Sequence, residues 1–278
     1  MKSVLVTGAS TGIGHVTANR LARAGWHVFA SVRKPEDAAS LAANGLGITP
    51  LIFDVTDADG IARAARHIDD AVGEHGLAAL VNNAGIAVAG PLEFLPLEPL
   101  RYQFEVNVTG QIAMTQALMP ALRRARGRIV FVGSVAGRSP LPFIGPYAAS
   151  KSALAAIAAS LRVELRPWGI DVIVVEPAAF ASSIWGTALD RTETILAPAS
   201  PLLDTYYGAT LDAVRRLVRR TANGRPPDPV AATIEKALTA RTPRARYLVG
   251  RGARARAILE ILPARIRDAI VAASIRRL

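Results

Sequence analysis

Along the chain, short apolar runs alternate with longer amphipathic ones. Lys2–Thr7, Trp26–Val32, Ile48–Val55, Leu77–Asn83, Arg128–Val132, Ile170–Glu176 and Arg246–Val249 are compact stretches rich in Val, Ile, Leu and Ala, most of them closed by glycine, proline or a polar residue. Runs of this length, apolar on both faces, predict strands buried in a parallel sheet. Between them the spacing of apolar positions predicts helices after the first strand as far as Gly25, over Asp57–Glu74, Leu100–Arg124, Tyr147–Pro167 and Asp228–Ala240, the last opening on an acid and a proline. Seven strands joined by helical crossovers predict an α/β fold, a single domain built on a doubly wound parallel β-sheet. That domain covers residues 1–250. Within it, residues 183–227 lack a clean period and are predicted to be an irregular substrate lid, with ordinary surface packing as the alternative. Trp185, Tyr206 and Tyr207 in that segment favour a lipophilic alcohol or ketone. Residues 251–278 form a C-terminal helical extension.

The chemistry is expected between Gly133 and Ser152. Tyr147 and Lys151 stand four apart in a predicted helix, so their side chains share a face one turn apart. A free phenol loses its proton near pH ~10, and a neighbouring ammonium favours the phenolate, which makes a general acid/base without histidine. Ser134 follows the strand ending at Val132 and Gly133; its hydroxyl is expected at the carboxyl edge of the sheet, where open α/β sheets bind ligands. Gly8, Gly12 and Gly14 follow the first strand and open a helix, an arrangement suited to a pyrophosphate.

Ser134, Tyr147-x-x-x-Lys151, the opening Thr7-Gly-Ala-Ser-Thr-Gly-Ile-Gly14, Asn82-Asn-Ala-Gly85 and Asn107 together resemble the short-chain dehydrogenase/reductase family over roughly residues 2–180. Looser likenesses, at Val32-Arg33, Glu176-Pro177 and Arg246–Gly250, are similar to its steroid- and retinol-dehydrogenase-like branch. The resemblance implies a Rossmann-type fold and a nicotinamide dinucleotide held by Gly8, Ser10, Thr11, Gly12, Ile13 and Gly14. It also implies contacts from Asp54 to the adenine with Val55 beside it, from Asn83 and Gly85 to the ribose side, and from Pro177, Phe180 and Ser182 near the nicotinamide. Asp54 also reads as a local backbone cap, with Thr56-x-x-Asp59 resembling a capping box. Arg33, in a stretch without an acid until Glu36, is expected to clamp a 2′-phosphate and select NADP(H) over NAD(H), or else to be a solvated loop charge. Hydride transfer between the nicotinamide and a ketone or secondary alcohol is implied, with Tyr147 exchanging the proton, Ser134 orienting the oxygen, Lys151 lowering the tyrosine pKa and holding the ribose, and Asn107 supporting a proton relay. Ala178 stands where the family usually has glycine, so the pocket there is expected to depart from the pattern. Relatives pair subunits through the helices around Leu100–Arg124 and Tyr147–Pro167, which implies a homo-oligomer.

Composition narrows this further. The absence of cysteine excludes disulfides and thiolate catalysis, and the four histidines form no ligand pattern, so no metal is expected. The chain enters a strand at once and holds no apolar run of membrane-spanning length, so a cytoplasmic protein is expected. Net charge is +11, and from Arg241 onward ten arginines face only Glu260 and Asp268, or 10 − 2 = +8. The excess therefore belongs to the tail, and no nucleic-acid partner is expected. There Ile258, Leu262, Ile266 and Ile270 recur every four residues among arginines. Such a stripe suits the inner face of a membrane, or a flap packed over the substrate site or a second subunit. Two functions of other classes stay open: a cofactor-binding regulator without turnover, and a membrane- or nucleic-acid-binding protein on the same fold.

Overall fold

Period-two alternation along each strand divides the core into two layers. In the first strand, β1 (Ser3–Val6), Val4 and Val6 pack with one cluster and Leu5 with the other. The same split separates Ala79 and Val81 from Leu80 in β4 (Ala79–Asn82), Val130 and Val132 from Ile129 and Phe131 in β5 (Arg128–Val132), and Ile173 and Val175 from Val172 and Val174 in β6 (Asp171–Pro177). Successive side chains of a strand point to opposite faces, so a strand apolar at every position must be covered on both. One face is covered by α1 (Gly12–Arg23) and α9 (Asp228–Thr239), the other by α3 (Ala58–Val72), α5 (Gly110–Ala125) and α6 (Gly145–Glu164).

The computed structural model describes residues 1–181, 183–197, 200–222 and 224–276. With β2 (His27–Val32), β3 (Thr49–Ile52) and β7 (Arg246–Val249), the strands form one parallel sheet in the order β3-β2-β1-β4-β5-β6-β7. The order reverses between β1 and β4. A crevice opens outside the carboxyl ends of the strands at such a switch point, and ligands bind there in doubly wound sheets.

Two connections differ from expectation. Residues 183–227 hold two helices, α7 (Ser183–Leu196) and α8 (Ser200–Ala222), rather than an irregular lid. Their apolar positions have helical spacing after all: Ile184, Trp185 and Ala188 pack beside Tyr147, and Leu196, Leu203 and Leu211 pack with Val88 and Leu95. The remaining helices are α2 (Pro35–Ala42), α4 (Leu97–Phe104), α10 (Ala253–Glu260) and α11 (Ala264–Arg276). In the tail the isoleucines of the predicted stripe face solvent, Ile258 57 % exposed, Ile266 51 % and Ile270 40 %, while Leu262 is half-buried. Polar contacts dock α10 instead. Glu260 pairs with Arg138 at 2.5 Å and Arg256 donates to the Ser139 carbonyl.

Candidate active site

The glycine loop after β1 is held by neutral hydrogen bonds from the end of β4. Thr7 Oγ1 accepts from the N–H groups of Asn83 (2.9 Å) and Ala84 (3.0 Å), while Asn83 Nδ2 donates to the carbonyls of Thr7 (2.8 Å) and Gly8 (3.1 Å). A Cβ on Gly14 would lie 2.2 Å from the Gly8 oxygen, so glycine there is a condition of close helix–loop packing. The first turn of α1 contains no acidic side chain, which leaves the positive end of the helix dipole unneutralised. Gly12 and Ile13 of that turn line the cleft.

The cleft runs from Arg33 and Asp54 past this helix end to Tyr147, Trp185 and Arg191. Among the described side chains that line it, three are cationic (Arg33, Lys151, Arg191) and one is acidic (Asp54). An elongated, glycine-floored cleft with a helix N-terminus along it, and with Arg33 and Lys151 on its walls, fits a dinucleotide, whose pyrophosphate belongs at a helix N-terminus. Arg33 approaches Asp54 to 3.7 Å. The expected Thr56-x-x-Asp59 capping box is absent. Thr56 turns its N–H (3.0 Å) and hydroxyl (2.9 Å) back onto Asp54 Oδ1, and Asp57 takes the N-cap place without a side-chain capping bond. The Asx-type turn satisfies those donors more locally than a box would.

At the other end Tyr147 and Lys151 are both buried on one face of α6, with Nζ 5.8 Å from the ring centroid. The expectation that the lysine lowers the tyrosine pKa is not met in this geometry. Nζ donates to the Val132 carbonyl at 2.9 Å rather than to the phenol. Burial pushes the phenol up to about 12, against a downward pull from its hydrogen bond with Ser134, and burial pushes the lysine down to about 8. Desolvation outweighs attraction here because both groups are fully enclosed. At neutral pH the phenol therefore holds its proton. Ser134 Oγ also accepts from Ala136 N–H at 3.1 Å, which fixes the hydroxyl at the end of β5.

A polar ladder holds the segment between these ends. Four side chains one helical turn apart grip alternate residues from the end of β4 along the chain that follows it. Gln103 accepts from Val88 N–H (2.5 Å). Asn107 accepts from Ile86 N–H (2.8 Å) and donates to its carbonyl (2.9 Å). Gln111 donates to the Ala84 carbonyl (2.7 Å), and Thr115 accepts from Asn82 Nδ2 (2.9 Å). Four helical residues rise about 6 Å and two extended ones about 6.6 Å, so the two periods match. Asn107 sits in a π-turn, Glu105–Thr109, between α4 and α5, and its amide also donates to Ser150 Oγ at 3.0 Å. Its amide is thus committed to bracing α6 beside Tyr147, which explains an asparagine inside a helix.

A family model described as short chain dehydrogenase matches residues 2–192. The chain belongs to the short-chain dehydrogenase family. It is 35% identical over 286 residues to the NADPH-dependent 3-dehydrocapnine reductase of Ornithobacterium rhinotracheale, covering 100% of this chain and 99% of that protein. It is 37% identical over 282 residues to retinol dehydrogenase 5 of Mus musculus, covering 96% and 87% respectively. The crystal structure of a short-chain dehydrogenase from Streptomyces avermitilis superposes with a TM-score of 0.74 at 28% identity, covering 92% of this chain and 90% of that one. The steroid- and retinol-dehydrogenase-like branch is thereby supported. The protein is an oxidoreductase of CH–OH and C=O groups that uses a nicotinamide cofactor.

Against the family pattern, Ala178 needs no special backbone: positive φ outside glycine occurs, among the described residues, only at Arg126 and Phe143. The glycine beside it is Gly250. It has φ +102°, and a Cβ there would meet Phe180 at 2.8 Å and the Ala178 methyl at 3.2 Å. Gly85 has no positive φ, and a Cβ there would be tight against Asn107 Oδ1 at 3.2 Å and in ordinary contact with Lys151 Nζ at 3.6 Å. Ser10, Thr11, Val55, Asn83, Pro177 and Phe180 all line the cleft, whereas Ser182 lies outside the described residues. Gln103, Gln111 and Thr115 were not anticipated, although polar residues at four-residue spacing around Asn107 were the signal. Glu176 was also missed. It is buried at the end of β6 between Arg138 (3.0 Å) and Arg246 (2.6 Å), and its pattern of partners spans three distant segments.

No helix among the described residues is long and apolar enough to cross a membrane.

Proposed function

We propose that the protein is an NADP(H)-dependent reductase of lipophilic ketones, with Tyr147 as the proton donor. The observation that carries this reading is the enclosed phenol. Placed at the end of the cleft with Ser134 and Lys151, and carrying its proton at neutral pH, it can deliver that proton to a carbonyl oxygen bound there. NADPH, when bound, supplies the hydride for the carbonyl carbon. The C=O π bond breaks as that C–H bond forms, and Tyr147 gives its proton to the oxygen, leaving an alcohol and a phenolate. Ser134 donates to the same oxygen and stabilises its developing charge. Lys151, one turn below, offsets the charge left on Tyr147. Gly8, Ser10, Thr11, Gly12, Ile13 and Gly14 would cradle the pyrophosphate, Asp54 and Val55 the adenine, and Asn83 and Gly85 the ribose side, with Pro177 and Phe180 beside the nicotinamide.

Arg33 supports the choice of NADP(H): it stands just past β2 on the cleft wall, half-exposed and free to turn from Asp54 to a 2′-phosphate. The 3-dehydrocapnine reductase relative is NADPH-dependent by name. Titration with both nucleotides tests the assignment. NADPH should bind at least tenfold tighter than NADH, and Arg33→Ala should abolish that preference; tighter NADH binding removes Arg33 from the role. A panel of ketones, followed by loss of NADPH absorbance, tests turnover.

A second reading concerns the tail. Ile258, Ile261 (80 % exposed), Ile266 and Ile270 stand among Arg251, Arg254 and Arg265, which favours peripheral contact with an anionic lipid surface. Sedimentation with anionic vesicles that is lost in Ile258→Ser/Ile261→Ser would support it, and sedimentation unchanged by that pair would remove it.

A further inference from the structure

Arg191, on α7, lines the substrate end of the cleft with Tyr147 and Trp185, and also lines a second cavity whose walls include Ile86, Val88, Tyr102 and Ile195. Ile86 and Arg191 are common to both, so the guanidinium stands where the reaction end of the cleft meets an apolar trough. Of the other cations of the cleft, Arg33 stands at the far end beside Asp54 at 3.7 Å, and Lys151 donates to the Val132 carbonyl at 2.9 Å. Arg191 is half-buried, and among the described side chains no carboxylate pairs with it. Glu98, on the rim of the trough, is largely exposed and turns to Arg101 at 3.8 Å; Glu193, two residues along α7, turns to Arg215 at 4.0 Å. Among the described side chains Arg191 thus faces both cavities without an acidic partner, and its planar fork matches an oxyanion bidentately.

We propose that Arg191 receives an oxyanion group on the substrate, so that the substrate class is an amphiphile: an acidic group near the reacting carbon and an apolar chain lying in the trough. This rests on the reading of the cleft as a carbonyl-reducing site. The trough walls supply apolar area for the chain, and Arg191 fixes the register of the chain relative to Tyr147. Carboxylate, sulfonate and phosphate share the required chemistry.

The test is equilibrium dialysis of the full-length protein, saturated with NADP, against radiolabelled decanoate, decanesulfonate, decyl phosphate and decanol. Decanol carries the same chain without the charge. One or more of the anions should bind about tenfold or more tighter than decanol, and the preferred one identifies the head group. Arg191→Met should reduce anion binding to the level of decanol, Arg191→Lys should retain most of the preference, and NADPH affinity should stay unchanged in both. Equal binding of anions and decanol to the unaltered protein would overturn the proposal, as would a preference that survives Arg191→Met. A parallel loss of NADPH affinity would overturn it too, by placing Arg191 on the cofactor. Failure of the reductase reading shows up separately, as no NADPH consumption with any ketone, because dialysis needs no turnover.

Discussion

On the nucleotide side of the cleft, Thr7, Asn83 and the polar ladder from Gln103 to Thr115 join backbone to side chain through short neutral hydrogen bonds, and the glycines pack at distances no other residue allows. On the substrate side, α7 and α8 rest on apolar area and on aromatic edges: Trp185 meets Tyr147 at 5.2 Å between centroids, and Tyr207 meets Phe143 at 5.6 Å and Phe94 at 6.2 Å. Charges anchor the tail, where Arg138 bridges the buried Glu176 and Glu260. Directional bonds admit few residue types at fixed spacings. Area can be supplied by many. The first region therefore depends on particular residue types at fixed spacings, and the second on apolar area that several residue types could provide.

The comparison is sharpest at Glu176. Glu176→Ala strands two guanidinium groups beside the sheet, and urea unfolding should show a loss of about 3–4 kcal/mol; a loss below about 1 kcal/mol would mean the network adds little to holding the tail. On the nucleotide side Gly14→Ala forces a methyl group against the Gly8 carbonyl. It should cost about 2–3 kcal/mol and weaken NADPH binding in parallel, and an unchanged melting curve would contradict the packing described. Lys151 tests burial itself. Its folded pKa, about 8, lies below the ordinary 10.5, so above pH 8 the unfolded chain binds more protons and rising pH favours the folded state. Relative to Lys151→Met, the unaltered protein should gain about 2 kcal/mol between pH 8 and about pH 9.5; a difference constant with pH would mean the amine is hydrated. Smallest of all, Ile261→Ser, on the exposed tail, should change stability by no more than about 0.5 kcal/mol, and a larger loss would show that this side chain is covered.

The difference between the regions also explains what the sequence made legible. Gly8, Gly12 and Gly14, Ser134, Tyr147 and Lys151 were readable because their chemistry tolerates few substitutes, and the structure brings them to one cleft. The sheet was readable because strands buried on both faces are apolar at every position. The helical spacing of Leu203, Tyr207, Leu211 and Val218 was present but masked by Pro198, Pro201 and the exposed Tyr206. Arg191 and Glu176 were not readable, because a charge acquires meaning only from side chains brought near it by the fold. Nor does spacing on a helix reveal that the Val132 carbonyl offers Lys151 an acceptor.

The central claim is that Tyr147 carries the proton while other residues hold the dinucleotide, and Tyr147→Phe separates the two. With NADPH affinity and ketone reduction measured on the same preparation, binding should stay within about threefold of the unaltered protein while turnover falls by about a thousandfold. Turnover kept above about a tenth, with NADPH bound normally, would contradict the account.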